Sequence, residues 1–223
     1  MKKYCLLLLA LAAMTAPGAA VAEGPDKAVC VVCAAHGESK PEKVAASATH
    51  EGVTYHFCAT DCRDAFVADP AAYLPQPMPR PAPAFTATAP DGAAVALADF
   101  AGKVVLVDFW ATWCKPCVKM MPRLQELHAA WADSGFVVLG VSVDEIDEGN
   151  DRAAKVAAFT AKHGVRYPVV IDGGETPAWS TYRVKAVPAM FLIDRAGNIV
   201  AQWTGEVDGD VVAREVARVI GLD

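Results

Sequence analysis

Positive charge is scarce in this chain of 223 residues: 20 lysines and arginines stand against 26 aspartates and glutamates, a formal charge of −6. Nucleic acid and anionic membrane reward clustered positive charge, so the balance argues against both as partners. Long apolar runs are scarce too. The longest near the N-terminus, from Cys5 to about Met14, falls well short of the ~20 residues that cross a bilayer core, so no stable membrane insertion is expected. No internal repeat is found, which argues against a repeat array. What the length permits is one domain plus a compact module.

Residues Met1 to Ala22 read as a signal peptide: Lys2 and Lys3, the apolar stretch, then Ala20-Val21-Ala22 before Glu23. Cleavage is expected after Ala22, with export to the periplasm; the alternative is an uncleaved anchor. Cys5 sits at the start of the apolar stretch, not where a lipid-modified cysteine would, and leaves with the signal. Two lysines and no acid go with it, taking the formal charge from −6 to −8. Of seven cysteines, six remain: Cys30, Cys33, Cys58, Cys62, Cys114 and Cys117. In an oxidising compartment such cysteines are staples, metal ligands or redox catalysts.

Proline alternates with other residues from Leu74 to Pro83, which disfavours helix and sheet ladder and favours extended polyproline II. This spacer, residues 75–83, divides a cysteine-rich module (28–74) from a larger domain (84–223). In that domain Lys103–Trp110 has the apolar run of a buried strand, and Lys115 to about Ala132 a helical pattern. Phe136–Val143 reads as a strand, Ala153 to about Lys162 as a helix and Tyr167–Ile171 as a strand. Met190–Ile193 and Ile199–Trp203 flank the turn-rich Asp194–Asn198, and a last helix runs from about Asp210 to Ile220. Strands alternating with helices predict an α/β sheet covered on both faces.

The segment Trp113-Cys114-Lys115-Pro116-Cys117 follows the first strand and opens the first helix of that domain. A sulfur at a helix N-terminus meets unpaired N–H groups and the positive end of the dipole, which stabilise thiolate. In such motifs the nucleophile's pKa falls to roughly 3.5–7.5. Cys114 is therefore the expected nucleophile and Cys117 the resolving thiol. Lys115 adds a cation, and Pro116 suits the first helical turn. The alternatives are a structural disulfide, which would close too small a loop to constrain the unfolded chain, and half a zinc site. The second lacks partners, since His128 and His163 have no paired spacing.

Val107–Cys117 resembles the active-site strand and helix of thioredoxins, and Ala84-Phe85, Leu97–Phe100 and Gly102–Leu106 are similar to the exported TlpA/ResA-like branch. The resemblance covers Pro83 to Asp223 and implies a thioredoxin fold. It implies that Val187-Pro188 is a cis-proline edge for a substrate strand, that Trp113 is a platform over the site, and that Pro122 kinks the helix. The resemblance also carries over Asp108, a carboxylate in an apolar strand, where burial is expected to raise its pKa and let it shuttle a proton for Cys117; a strand end reaching water is the alternative. Lys115 departs from the usual glycine, and a cation beside the pair stabilises the reduced form, moving it toward a stronger oxidant.

In the module, Cys30-Val31-Val32-Cys33 resembles a metal knuckle, and Cys58 and Cys62 share a helical face. Gly52–Phe57 between them reads as a strand leaving a turn. Glu51–Cys58 with Cys62, Phe66, Asp69-Pro70 and Tyr73-Leu74 is similar to YHS/TRASH-type metal-binding domains, small and treble-clef-like. That resemblance implies Cys33, Cys58 and Cys62 as ligands, with Cys30 an extra, for zinc or copper; His36 and His56 are weaker candidates. Two structural disulfides are the alternative. The redox domain itself is expected to need no cofactor.

The leading expectation is an exported protein disulfide oxidoreductase, a dithiol reductase of client cysteines. Its resemblance implies clients in cytochrome c or copper-site assembly and a membrane electron donor. The other readings are a metallochaperone passing Cu(I) through the cysteine pairs and, more remotely, a peroxidase.

Overall fold

The computed structural model describes residues 24–145 and 151–222, so the signal-peptide expectation, Cys5 included, lies outside the described residues. No helix among the described residues is long and apolar enough to cross a membrane.

The module opens with β1 (Lys27–Val29), α1 (Val31–Ala35) and β2 (Pro41–Lys43), the two strands paired antiparallel. A hairpin of β3 (Ala46–His50) and β4 (Val53–Phe57) follows, then α2 (Thr60–Ala68) and a 3-10 turn at Pro70–Ala72. The hairpin turns at Glu51 (φ 49) and Gly52 (φ 80), because a two-residue connection that matches strand twist needs positive φ at both positions. The module's core is small: Cys30, Val32, Phe57 and Phe66. Knuckle, hairpin and helix thus fall in the predicted order.

The larger domain is an eight-stranded mixed sheet in the order β5-β12-β11-β8-β9-β10-β6-β7. Its strands are β5 (Arg80–Pro81), β6 (Thr86–Thr88), β7 (Ala94–Ala96), β8 (Val104–Trp110), β9 (Phe136–Ser142), β10 (Val169–Ile171), β11 (Ala189–Ile193) and β12 (Asn198–Thr204). Strands β8, β9 and β10 run parallel and the remaining pairs antiparallel. The helices are α3 (Lys115–Trp131), α4 (Arg152–Lys162), α5 (Ala178–Thr181) and α6 (Gly209–Ile220).

Every residue of β8 and β9 is buried, as continuous apolar runs with both faces covered require. Val105, Val107 and Phe109 point to the face closed by Phe85, Tyr182 and Phe191. Val104 and Leu106 point to the face under Leu124 and Leu127 of α3 and Val212 and Val216 of α6. Trp110, on that same face, meets Cys117 and Met121 of α3 and Val156 of α4. This is the α/β sheet covered on both faces that the strand and helix alternation predicts, in the thioredoxin arrangement that the resemblance implies.

One boundary differs. The proline-rich segment is expected to stay out of any ladder, yet Arg80 and Pro81 pair with Ile199 and Asn198 as the outermost strand. An edge position needs no N–H from one side, so proline is tolerated there.

Candidate active site

Strand β8 delivers the chain to a loop, Ala111–Cys114, that ends as the N-cap of α3. The loop is held from below: the Asp144 carboxylate accepts from Thr112 N (2.9 Å) and the Thr112 hydroxyl. Asp144 also accepts from Ser142 Oγ at 2.9 Å and faces Lys155 Nζ at 3.0 Å. Burial pushes its pKa up, but the bonds from Thr112, Lys155 and Ser142 outweigh that and hold the carboxyl below the usual carboxylate range. Sequence reading missed this residue. The only local signal was an acid ending an apolar strand parallel to the one that carries the cysteines.

Cys114 and Cys117 form a disulfide with Cα atoms 5.3 Å apart. Both are buried, whereas the adjoining Trp113 is 66% exposed. Cys117 N–H donates to Cys114 Sγ at 3.3 Å, the helix-terminal bond expected to favour negative charge on that sulfur. Pro116 occupies the first turn, where no N–H is missed. Pro122 lies inside α3, as predicted.

The Val187–Pro188 bond is cis, and Val187 packs against the cluster containing Cys114, Cys117 and Trp110. Gly205 N–H donates to Pro188 O at 2.8 Å, which ties this loop to the end of β12. Beside it a cleft of about 490 Å³ opens between Pro116, Met120 and Pro188. Lys119 and Glu206 bridge its rim at 2.6 Å.

Asp108 is 2% exposed in mid-strand, between Met190 of β11 and Gly140 of β9 in register. Strand alternation puts it on the face of Leu106 and Trp110, under the helix that carries Cys117. Burial pushes its carboxyl up to about 7. The expected burial is therefore present and the strand-end alternative is not.

Around it lie buried polar groups the sequence did not single out. A β-carbon on Gly140 would lie 3.1 Å from both Trp110 Nε1 and the Tyr167 ring, so glycine is what lets those rings close over Asp108's neighbour. Tyr167 OH and Trp110 Nε1 are buried with no protein partner. Burial raises the Tyr167 phenol's pKa, and the Asp108 charge adds to it.

In the module, the sulfurs of Cys30, Cys33, Cys58 and Cys62 all lie within 4.8 Å of one another and belong to free cysteines. Cys33 and Cys58 are 3.4 Å apart, Cys58 and Cys62 3.8 Å. Burial works against ionisation of Cys30, but bonds from the Cys33, Cys58 and Val32 backbones prevail and bring it to about 7. Burial pushes Cys33 and Cys62 up, the latter to about 11. His56 instead shares a 2.9 Å hydrogen bond with Ser47, and neither it nor His36 is in the sulfur cluster.

A disulfide capping a helix N-terminus beside a cis-proline, on a mixed sheet with helices on both faces, defines a thioredoxin-fold protein disulfide oxidoreductase. Residues 78–202 match the family model described as AhpC/TSA family, more than half of the chain, and the chain belongs to that family. Thiol-disulfide oxidoreductase ResA of Bacillus thuringiensis (strain Al Hakam) is 38% identical over 125 residues, 56% of this chain and 68% of that relative. Among solved structures, the thioredoxin domain of a Bacteroides vulgatus thiol-disulfide oxidoreductase superposes with a TM-score of 0.56 at 30% identity, covering 66% of this chain and 99% of that one. A thiol:disulfide interchange protein of the thioredoxin family from Chlorobium tepidum TLS gives a TM-score of 0.56 at 29% identity, covering 66% and 100%. The family match begins at residue 78, after the cysteine-rich module.

Proposed function

We propose that this chain is an exported dithiol reductase acting on client cysteines, with Cys114 as attacking nucleophile and Cys117 as resolving thiol. The observation that carries the reading is the Cys114–Cys117 disulfide at the start of α3, with Val187 packed against the cluster that contains both cysteines and Asp108 buried in the strand that leads to them. In the reduced state the Cys114 thiolate attacks one sulfur of a client disulfide. The client S–S bond breaks, one client thiolate leaves and takes a proton, and a Cys114–client mixed disulfide forms. Cys117 then gives its proton to the Asp108 carboxylate and attacks Cys114 Sγ. The second client thiol is released and the Cys114–Cys117 disulfide returns, two electrons having passed to the client. A carboxyl at about 7 is divided between its two forms near neutral pH and so both takes and returns a proton.

The client lies extended along Val187-Pro188, with exposed Trp113 as an apolar platform. A membrane dithiol donor restores the pair. Lys115 beside Cys114 favours the reduced form, so the donor reduces the pair readily, at the expense of its drive to reduce clients.

The module's four sulfurs fit a metal. Tetrahedral sites with metal–sulfur bonds of about 2.3 Å place sulfurs about 3.8 Å apart, against 3.4 Å for Cys33–Cys58 and 3.8 Å for Cys58–Cys62 here. Cys30, Cys33, Cys58 and Cys62 would hold zinc or Cu(I), the soft ions that thiolates select. A metal module fused to a reductase supports clients that carry metal centres, as in cytochrome c or copper-site assembly, because such sites must be reduced before loading.

Cys117→Ala removes the resolving step and should trap client mixed disulfides on Cys114, recovered from the periplasm and identified after reduction. Recovery of no client sinks the reading.

A further inference from the structure

We infer that the module's four cysteines are themselves a client of Cys114 and Cys117 in the same chain, so that the redox pair keeps the metal site reduced and ready to load. This rests on the pair acting as a reductase.

The cluster is built to oxidise when empty. Cys33 Sγ and Cys58 Sγ are 3.4 Å apart as free thiols, and a disulfide needs about 2.05 Å, which side-chain rotation supplies. A disulfide there removes two ligands, since metals take thiolate.

The module also sits on the client edge. Cys33 O accepts from His36 N and Glu38 N, both at 2.9 Å, so the turn at Gly37 hangs directly on a cluster residue. A β-carbon on Gly205 would lie 3.3 Å from Gly37 Cα, and Gly205 N–H is the group that holds Pro188 O. Lys185, two residues before Val187, places Nζ 5.6 Å from the centre of the Tyr73 ring.

This seat is shallow and its tether short. A cleft of about 470 Å³ lies between Val29, Val31 and Tyr73 of the module and Tyr182 and Phe191 of the redox domain. Among the described residues, no module helix or strand packs broadly on an element of that domain. Residues 75–79 alone separate the module from β5. A short tether, even one stiffened by three prolines in five residues, keeps the module beside the pair, and short linkers give roughly millimolar effective concentration, about a thousandfold above a micromolar client.

The step balances as for any client. The Cys114 thiolate attacks a sulfur of the Cys33–Cys58 disulfide, that bond breaks, and the leaving thiolate takes a proton. Cys117 then attacks Cys114 Sγ, freeing the second module thiol. Two electrons move from the pair to the module, with an oxidant such as dioxygen having removed them and an external dithiol replacing them.

The full-length protein, stripped of metal by a chelator and oxidised with diamide, is mixed with dithiothreitol, and each cysteine is followed by timed alkylation and peptide mass spectrometry. Cys33 and Cys58 thiols should appear after those of Cys114 and Cys117, with a rate constant unchanged by protein dilution at fixed dithiothreitol. In Cys114→Ser the module should recover roughly tenfold more slowly or worse. Equal module rates in both proteins, or a wild-type rate that falls in proportion to dilution, overturn the inference; the dilution series needs no variant to fold. Insulin reduction by the same wild-type preparation reads the pair separately. Insulin turnover with a failed module result leaves the reductase reading standing, and loss of both sinks both.

Discussion

Two acids set the chemistry of the site in opposite senses. The Asp108 carboxyl is raised to about 7 by burial, so between the ordinary carboxylate range and pH 7 the folded chain keeps a proton that the unfolded chain has lost. Stability from this residue therefore falls as pH rises through that window and is level above it. A rise from the ordinary carboxylate range to about 7 corresponds to about 4 kcal/mol. Asp108→Asn should stabilise the protein by a few kcal/mol at pH 8 and hardly at all at pH 4, while slowing client reduction. Urea unfolding at the two pH values checks this; an equal increment at both would exclude a titrating Asp108. Asp144 is the reverse case. Its depressed carboxyl contributes stability that is present above the ordinary carboxylate range and lost as pH falls through its folded pKa. Asp144→Ala strands the Thr112 N–H and the Thr112 and Ser142 hydroxyls and should cost about 1–3 kcal/mol. Thermal unfolding measures the cost, and insulin reduction should slow because the loop before Cys114 is no longer held. Asp108 was legible because a lone acid in an apolar run has few explanations. Asp144 was not, because its partner Thr112 is distant in sequence and the acids following it obscure it.

At the scale of elements, the legible pieces were those whose patterns are strong and local. Strands β8 and β9 are unbroken apolar runs, α3 begins at its own N-cap cysteine, and α6 has its apolar positions at helical spacing. The strands that escaped reading, β5, β6 and β7, have two or three residues each, built of Ala, Thr, Pro, Arg and Val. Their conformation is imposed by pairing with β12, β10 and each other, a tertiary effect that propensity does not carry. The four-residue α5 is likewise too short for periodicity to register. Within β9, Gly140 shows packing overriding strand propensity. Glycine weakens a strand, yet a β-carbon there would press on Trp110 and Tyr167 at 3.1 Å and on Val169 at 3.3 Å. Gly140→Ala should destabilise by about 1–3 kcal/mol despite alanine's better strand fit. A denaturant midpoint equal to or above wild type would show that the rings move aside freely.

For the molecule as a whole, the two parts differ in what holds them. The redox domain has two extensive apolar faces on one sheet. The module, 47 residues by its predicted bounds 28–74, centres on four side chains of which one is a cysteine. Chains near that size usually need a metal, disulfides or a partner to fold, and here four free thiols converge where a disulfide network would have paired them. If metal binding is the module's folding energy, stability should be modular. Adding zinc to stripped protein should slow amide exchange in β3, β4 and α2 while β8 and β9 keep their rates. Cys58→Ser, which removes the sulfur 3.4 Å from that of Cys33 and 3.8 Å from that of Cys62, should abolish that protection and leave insulin reduction by Cys114 and Cys117 intact. Unchanged exchange in the module on adding zinc and then Cu(I) would mean that its small core suffices, and the four sulfurs would then lose their structural role.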